Sequence, residues 1–76
     1  MTPLCFVGVD VSKAYLDVAS RPVGEDFRLP NTADGISTLV TRLRPMAPAL
    51  ILLEATGGLE QDAAVVLTAA GMKVRI

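Results

Sequence analysis

The chain has no histidine and a single cysteine, Cys5. A lone thiol makes no internal disulfide, and without histidine or further cysteine it makes no zinc site. Within its apolar run Cys5 reads as a small core residue. The lack of paired cysteines fits a reducing compartment, here the cytoplasm. Aromatic residues are only 4% of the sequence, which argues against recognition of single strands by stacking; Phe6 and Phe27 read as core. No apolar stretch approaches the roughly 20 residues that span a bilayer, so no membrane partner is expected. The opening Met1-Thr2-Pro3-Leu4 lacks the basic region of a signal peptide. Positive charge is also scarce. The net charge is -1, and Lys13, Arg21, Arg28, Arg42, Arg44, Lys73 and Arg75 are scattered along the chain. That excludes a basic nucleic-acid-binding module. A role on nucleic acid would rest on chemistry, with the grip on the backbone supplied mostly from elsewhere.

Apolar content is what the chain has in excess. Of its 76 residues 51% are hydrophobic, and the mean hydropathy is +0.49. A domain this small buries a smaller share of its surface than a larger one. So much apolar content implies surface meant for a partner or for a missing remainder. Residues 72–76 alternate like a strand and stop without a turn or polar tail. The expectation is that residues 1–76 form the amino-terminal part of one larger domain.

Residues 4–10 read as a first buried strand, followed by the short connection Val11-Ser12-Lys13-Ala14. Residues 15–20 alternate, with Leu16 and Val18 on one face and Tyr15, Asp17 and Ala19 on the other. Pro22-Val23-Gly24-Glu25 turns the chain, and residues 26–29 form a third strand stopped by Pro30. Asn31 reads as the cap of a first helix, with Asp34 answering it. Ile36, Leu39, Val40 and Leu43 give that helix an apolar face. Residues 49–53 are nearly all apolar, which predicts a central strand covered on both faces. A second helix is expected from about residue 59 to residue 70, with Leu59, Ala63, Val66, Leu67 and Ala70 on one face and Gly71 as its left-handed cap. A fifth strand begins at Met72. The order is β-β-β-α-β-α-β. The simplest sheet puts the first strand in the middle, flanked by the second and the fourth.

Asp10 and Glu54 each close an apolar run, Leu4-Cys5-Phe6-Val7-Gly8-Val9-Asp10 and Leu50-Ile51-Leu52-Leu53-Glu54. Hiding a carboxylate at a strand end is costly unless something pairs with it. In the sheet order above the two strand ends are neighbours, about 4.8 Å apart. Two like charges there repel unless a cation lies between them. This suggests a divalent metal site at the carboxyl edge of the sheet, and so phosphoryl-transfer chemistry. Plainer roles stand beside this one. Asp10 can accept from the turn amides of Ser12 or Lys13, and Glu54 can sit near the start of the second helix, where the dipole favours it. Ser12 and Thr56 are turn residues that can hydrogen-bond the acids as outer support. Lys13 is a turn lysine that can reach a phosphate. Asp17 is expected on the solvent side, with membership of the site as the lesser alternative. Gly57 and Gly58 serve backbone geometry.

The strings Gly8-Val9-Asp10-Val11-Ser12-Lys13, Asn31-Thr32-Ala33-Asp34-Gly35 and Leu53-Glu54-Ala55-Thr56-Gly57-Gly58, with the element order, resemble the DEDD-type insertion-sequence transposases. These are also known as bridge-RNA-guided recombinases, and the pilin-gene invertases are relatives. The resemblance covers nearly the whole chain. It implies an α/β fold of the ribonuclease-H-like (RuvC-like) type, incomplete at the carboxyl end. It implies DNA strand cleavage and transfer with Mg2+ or Mn2+, one or two ions, and a guide (bridge) RNA as partner. The first Asp of the family's four catalytic acids matches Asp10, and its Glu matches Glu54. The other two aspartates and the catalytic serine of a later domain have no counterpart in these residues. The chain alone is therefore expected to hold half a metal site and to be inactive.

Two other classes remain open at this point. Gly8-Val9-Asp10 also fits the phosphate loop of the actin-like sugar kinase and ATPase fold, although Val11-Ser12-Lys13 follows where that loop usually has Gly-Thr or Gly-Ser. A non-enzymatic α/β interaction module would use the acids only as caps and turn anchors. The open fifth strand is a free edge that can pair with another copy, so a homo-oligomer is expected. Light scattering at high concentration should give a mass above the monomer; a monomeric mass would contradict this.

Overall fold

The computed structural model describes residues 4–22 and 24–76. The part of the expected second turn that falls on Val23 lies outside the described residues. The strands are β1 (Phe6–Val11), β2 (Tyr15–Arg21), β3 (Asp26–Pro30), β4 (Leu50–Glu54) and β5 (Val74–Arg75). The helices are α1 (Ala33–Leu43) and α2 (Gln61–Ala69), with a single 3-10 turn at Arg44–Met46. The architecture is α/β: one mixed sheet in the order β3-β2-β1-β4-β5, with β1 central. The β1–β2 and β2–β3 pairs are antiparallel, and the β1–β4 and β4–β5 pairs are parallel. Among the described residues no helix is long and apolar enough to cross a membrane.

Strand alternation splits the sheet into two unlike faces. Val7, Val9 and Val11 of β1, Leu16 and Val18 of β2, and Ile51 and Leu53 of β4 point into one core. Ile36, Leu39 and Leu43 of α1 and Ala63 and Leu67 of α2 belong to the same cluster, and the two helices touch. Each fully buried leucine or isoleucine contributes about 1.5–3 kcal/mol. Both helices therefore lie on one side. The opposite face, with Phe6, Gly8, Asp10, Tyr15, Leu52 and Glu54, is exposed.

That arrangement corrects the expectation for β4, which is covered on one face only: Leu52 is 37% exposed and Glu54 is also exposed. The crossovers from β1 to β4 and from β4 to β5 run in the same direction, and the preferred crossover hand places both helices on one side. An apolar run shows that a strand is buried but does not count the buried faces.

Smaller differences have local causes. β1 continues to Val11, so Asp10 is next to last in its strand. The cap of α1 is Thr32, whose hydroxyl accepts from the Gly35 N–H at 3.0 Å, and not Asn31. Asn31 instead donates from its side-chain amide to the Ser12 carbonyl at 2.8 Å and from its N–H to the Ala14 carbonyl at 2.9 Å. It thereby ties the end of β3 to the β1–β2 turn. Asp34 lies in the first turn of α1, where negative charge suits the dipole. α2 starts at Gln61, later than expected, because Gly57 and Gly58 take positive φ and the chain is still turning at 59–60. Of its expected apolar face only Ala63 and Leu67 are fully buried; Leu59 and Val66 are exposed. Gly71 caps the helix as expected. Its φ is +85°, its N–H donates to the Thr68 carbonyl, and the Met72 N–H donates to the Leu67 carbonyl, the paired bonds of a Schellman motif. β5 begins at Val74 and is only two residues long.

Gly35 is required by a close approach. A Cβ there would lie 1.8 Å from the Pro30 carbonyl oxygen, where β3 hands over to α1. Gly35→Ala should cost about 1–3 kcal/mol, like other overpacking changes. A urea midpoint equal to that of the wild type would contradict this contact.

Candidate functional site

Three register lines assemble a row of charged residues across the sheet. Asp10 is paired with Glu54 across the parallel β1–β4 ladder. It is paired with Asp17 across the antiparallel β1–β2 ladder. Asp17 is paired in turn with Arg28 on β3. The row is Arg28, Asp17, Asp10, Glu54. Asp17, Asp10 and Glu54 alternate with buried neighbours in their strands and Arg28 with the half-buried Phe27 and Leu29, so all stand on the open face.

Next to Asp10 in β1, toward the chain start on the same face, is Gly8, paired with Ala19 and Leu52. A Cβ at Gly8 would meet nothing within 4 Å, so the glycine leaves a flat floor beside the acids. A shallow depression of about 190 Å³ lies there, lined by Gly8, Ala19, Leu52 and the three acids. A second, of about 440 Å³, continues past Asp17 over Phe27 and Arg28.

Asp10 and Glu54 accept no hydrogen bond and join no ion pair through their side chains among the described residues. Two unit charges about 5 Å apart in water repel by about 0.8 kcal/mol. The plainer roles open to these acids do not hold. The Ser12 N–H is taken by the Tyr15 carbonyl at 2.9 Å, and Glu54 is a strand residue well before the start of α2. Asp17 is engaged: Arg28 Nε donates to Oδ1 at 2.7 Å and Nη2 to Oδ2 at 3.3 Å. The hydrogen bond from Arg28 to Asp17, and then the charge of Asp17, raise the guanidinium pKa above its ordinary value. The same guanidinium stacks over the Tyr15 ring, 4.2 Å from its centroid.

A divalent cation of the magnesium type binds oxygen ligands, mostly carboxylates and water. Two unpaired carboxylates side by side are the right kind of donor. They are few in number: among the described residues no group of three or more His, Cys, Asp or Glu is placed to hold a metal ion. Asp10 and Glu54 would be the protein ligands, and Asp17 is held by Arg28.

The remaining sequence-derived residues stand apart from the acids. The Ser12 hydroxyl donates to the Tyr15 carbonyl and accepts from the Tyr15 N–H, which closes the β1–β2 turn. It therefore does not act as outer support for Asp10. Lys13 is exposed in the same turn and makes no hydrogen bond or ion pair among the described residues. Thr56 is exposed after β4; its carbonyl accepts from the Leu59 N–H, and its hydroxyl reaches neither acid. Sequence reasoning missed Arg28 and gave Asp17 only a lesser place at the site. The signal was available: counting outward from the first turn sets Asp17 opposite Asp10, and counting outward from the second sets Arg28 opposite Asp17. Neither models of known protein families nor the curated proteins match this chain.

Like charges directly opposite in a sheet destabilise it. Asp10→Asn and Glu54→Gln should each raise stability by roughly 0.2–1 kcal/mol in metal-free buffer, measured by urea unfolding. A loss of stability in either variant would mean that the carboxylate is bonded within the fold.

Proposed function

We propose that this chain is the amino-terminal part of a ribonuclease-H-like (RuvC-like) nuclease domain, belonging to a DNA transposase or recombinase that cleaves and transfers strands with Mg2+ or Mn2+. The observation that carries this reading is the register of Asp10 against Glu54 on adjacent parallel strands. It puts two unpaired carboxylates together at the carboxyl edge of an α/β sheet, the usual place for a site. The sheet order with β1 in the middle and the resemblance to the DEDD-type transposases support the same reading.

Asp10 and Glu54 would hold the ion, with lone pairs that no other side chain takes among the described residues. When bound, a divalent cation neutralises charge on a phosphodiester and activates the attacking oxygen. The rest of the open face supplies space. Gly8 and Ala19 keep the floor beside the acids low, so a sugar–phosphate chain can approach them. The further acids and the serine that the family requires are outside these residues, so the chain alone is inactive in this reading. DNA is the proposed substrate, and a second copy and a guide RNA are proposed partners. The RNA rests on the resemblance alone.

Titration with Mn2+, followed through the amide signals, tests the site. Broadening should centre on residues 8–11 and 52–55 and disappear in the Asp10→Asn/Glu54→Gln double variant. Broadening spread evenly over the surface acids would contradict the site and favour an interaction module.

A further inference from the structure

The sequence scatters its cations, but the fold brings two of them to one place. Arg44 follows α1 and Lys73 follows α2, and both line a cleft of about 420 Å³ beside the start of β4. Ala47, Pro48, Ala70 and Met72 form its apolar wall, and no acidic residue among those described lines it. Arg21, Arg28 and Arg42 are each paired with an acid. Arg44 and Lys73 are exposed, join no ion pair and donate no side-chain hydrogen bond among the described residues. Cations suit helix carboxyl ends, and each of these residues is near one. Neither is needed there as a cap, because backbone donors already close both ends. The Arg44 N–H donates to the Val40 carbonyl and the Ala47 N–H to the Arg44 carbonyl. In α2 the Gly71 and Met72 N–H groups do the same work.

We propose that the cleft between Arg44 and Lys73 binds a phosphate group, carried by a small phosphorylated molecule or by a polynucleotide backbone. The planar fork of Arg44 matches two phosphate oxygens, and Lys73 adds a point charge. The apolar wall suits the carbon frame that carries the phosphate. The site is separate from the acids on the open face. At about 3.3 Å per residue along β4, Glu54 stands roughly 16 Å from Ala49, beyond the Debye length of about 10 Å at 0.1 M salt. The acids at the opposite edge therefore do not cancel these cations. The inference does not depend on a cation at Asp10 and Glu54.

The test is a titration of the 76-residue chain with sodium phosphate at constant pH and ionic strength, followed through the amide shifts. Shifts should centre on residues 44–49 and 70–74. Arg44→Gln and Lys73→Gln should each weaken binding by roughly fivefold, the effect of one unit charge about 4 Å away in water. Arg21→Gln removes the same charge elsewhere and should change binding by less than roughly twofold. Both cleft side chains are exposed and unbonded, so the variants should keep their amide dispersion; if one does not, the other decides. Sodium acetate at the same ionic strength should move these amides less than phosphate does. A thymidine octanucleotide that moves the same amides at lower concentration would support the site with a polynucleotide as the source. Shifts from phosphate alone would support it with a small phosphorylated molecule. Absence of localised shifts, equal shifts from acetate, unchanged binding in both cleft variants, or an equal loss in Arg21→Gln would overturn the inference. None of these results bears on the Mn2+ titration at Asp10 and Glu54, so the two readings fail separately.

Discussion

Parallel pairing of β1 with β4 sets Val7 beside Ile51 and Val9 beside Leu53 on the helix-covered face, and by the same alternation sets Asp10 beside Glu54 on the open face. A slip of one residue in either strand would turn its side chains to the opposite faces. Exposing the two such aliphatic side chains of the slipped strand would cost about 3–6 kcal/mol at 1.5–3 kcal/mol each. The repulsion between the two carboxylates is about 0.8 kcal/mol at 5 Å in water. The core therefore wins several-fold and holds two like charges together that would otherwise separate. Both acids stand on strands and not on loops, so the packing of the core sets their positions.

The ends of those strands are fixed by contacts that sit away from the acids. Asn31 clamps the β1–β2 turn, the Ser12 hydroxyl closes that turn, and Gly35 lets α1 start against the Pro30 carbonyl. On the β2–β3 side basic groups are paired: Arg21 with Asp26, Arg28 with Asp17, and Arg42 with Glu25 while stacked over Phe27. Exposed pairs of this kind add little stability each. Asp10 and Glu54 are neighbouring negative groups that join no ion pair among the described residues.

Much of this was readable from local signals. The alternation in residues 15–20, the periodicity of Ile36, Leu39 and Leu43, and Gly71 after an apolar helix each state their structure within a few residues. Apolar runs ending at Asp10 and Glu54 pointed to their adjacency once a sheet order was chosen. What failed depended on the assembly. The run at 49–53 could not reveal that both crossovers place their helices on the same side. Thr32 and Asn31 are both good caps, and Asn31 was drawn away by the Ser12 carbonyl, a partner far off in sequence. The Asp17–Arg28 pair joins two strands and becomes visible only when both hairpins are counted in register.

The account turns on a shared cation between β1 and β4. Anomalous diffraction from manganese-soaked crystals measures it most directly. The account predicts a peak about 2 Å from oxygens of both Asp10 and Glu54 on the sheet face away from the helices. A map with the carboxylates on opposite faces, or with manganese bound only at other acids, would contradict it.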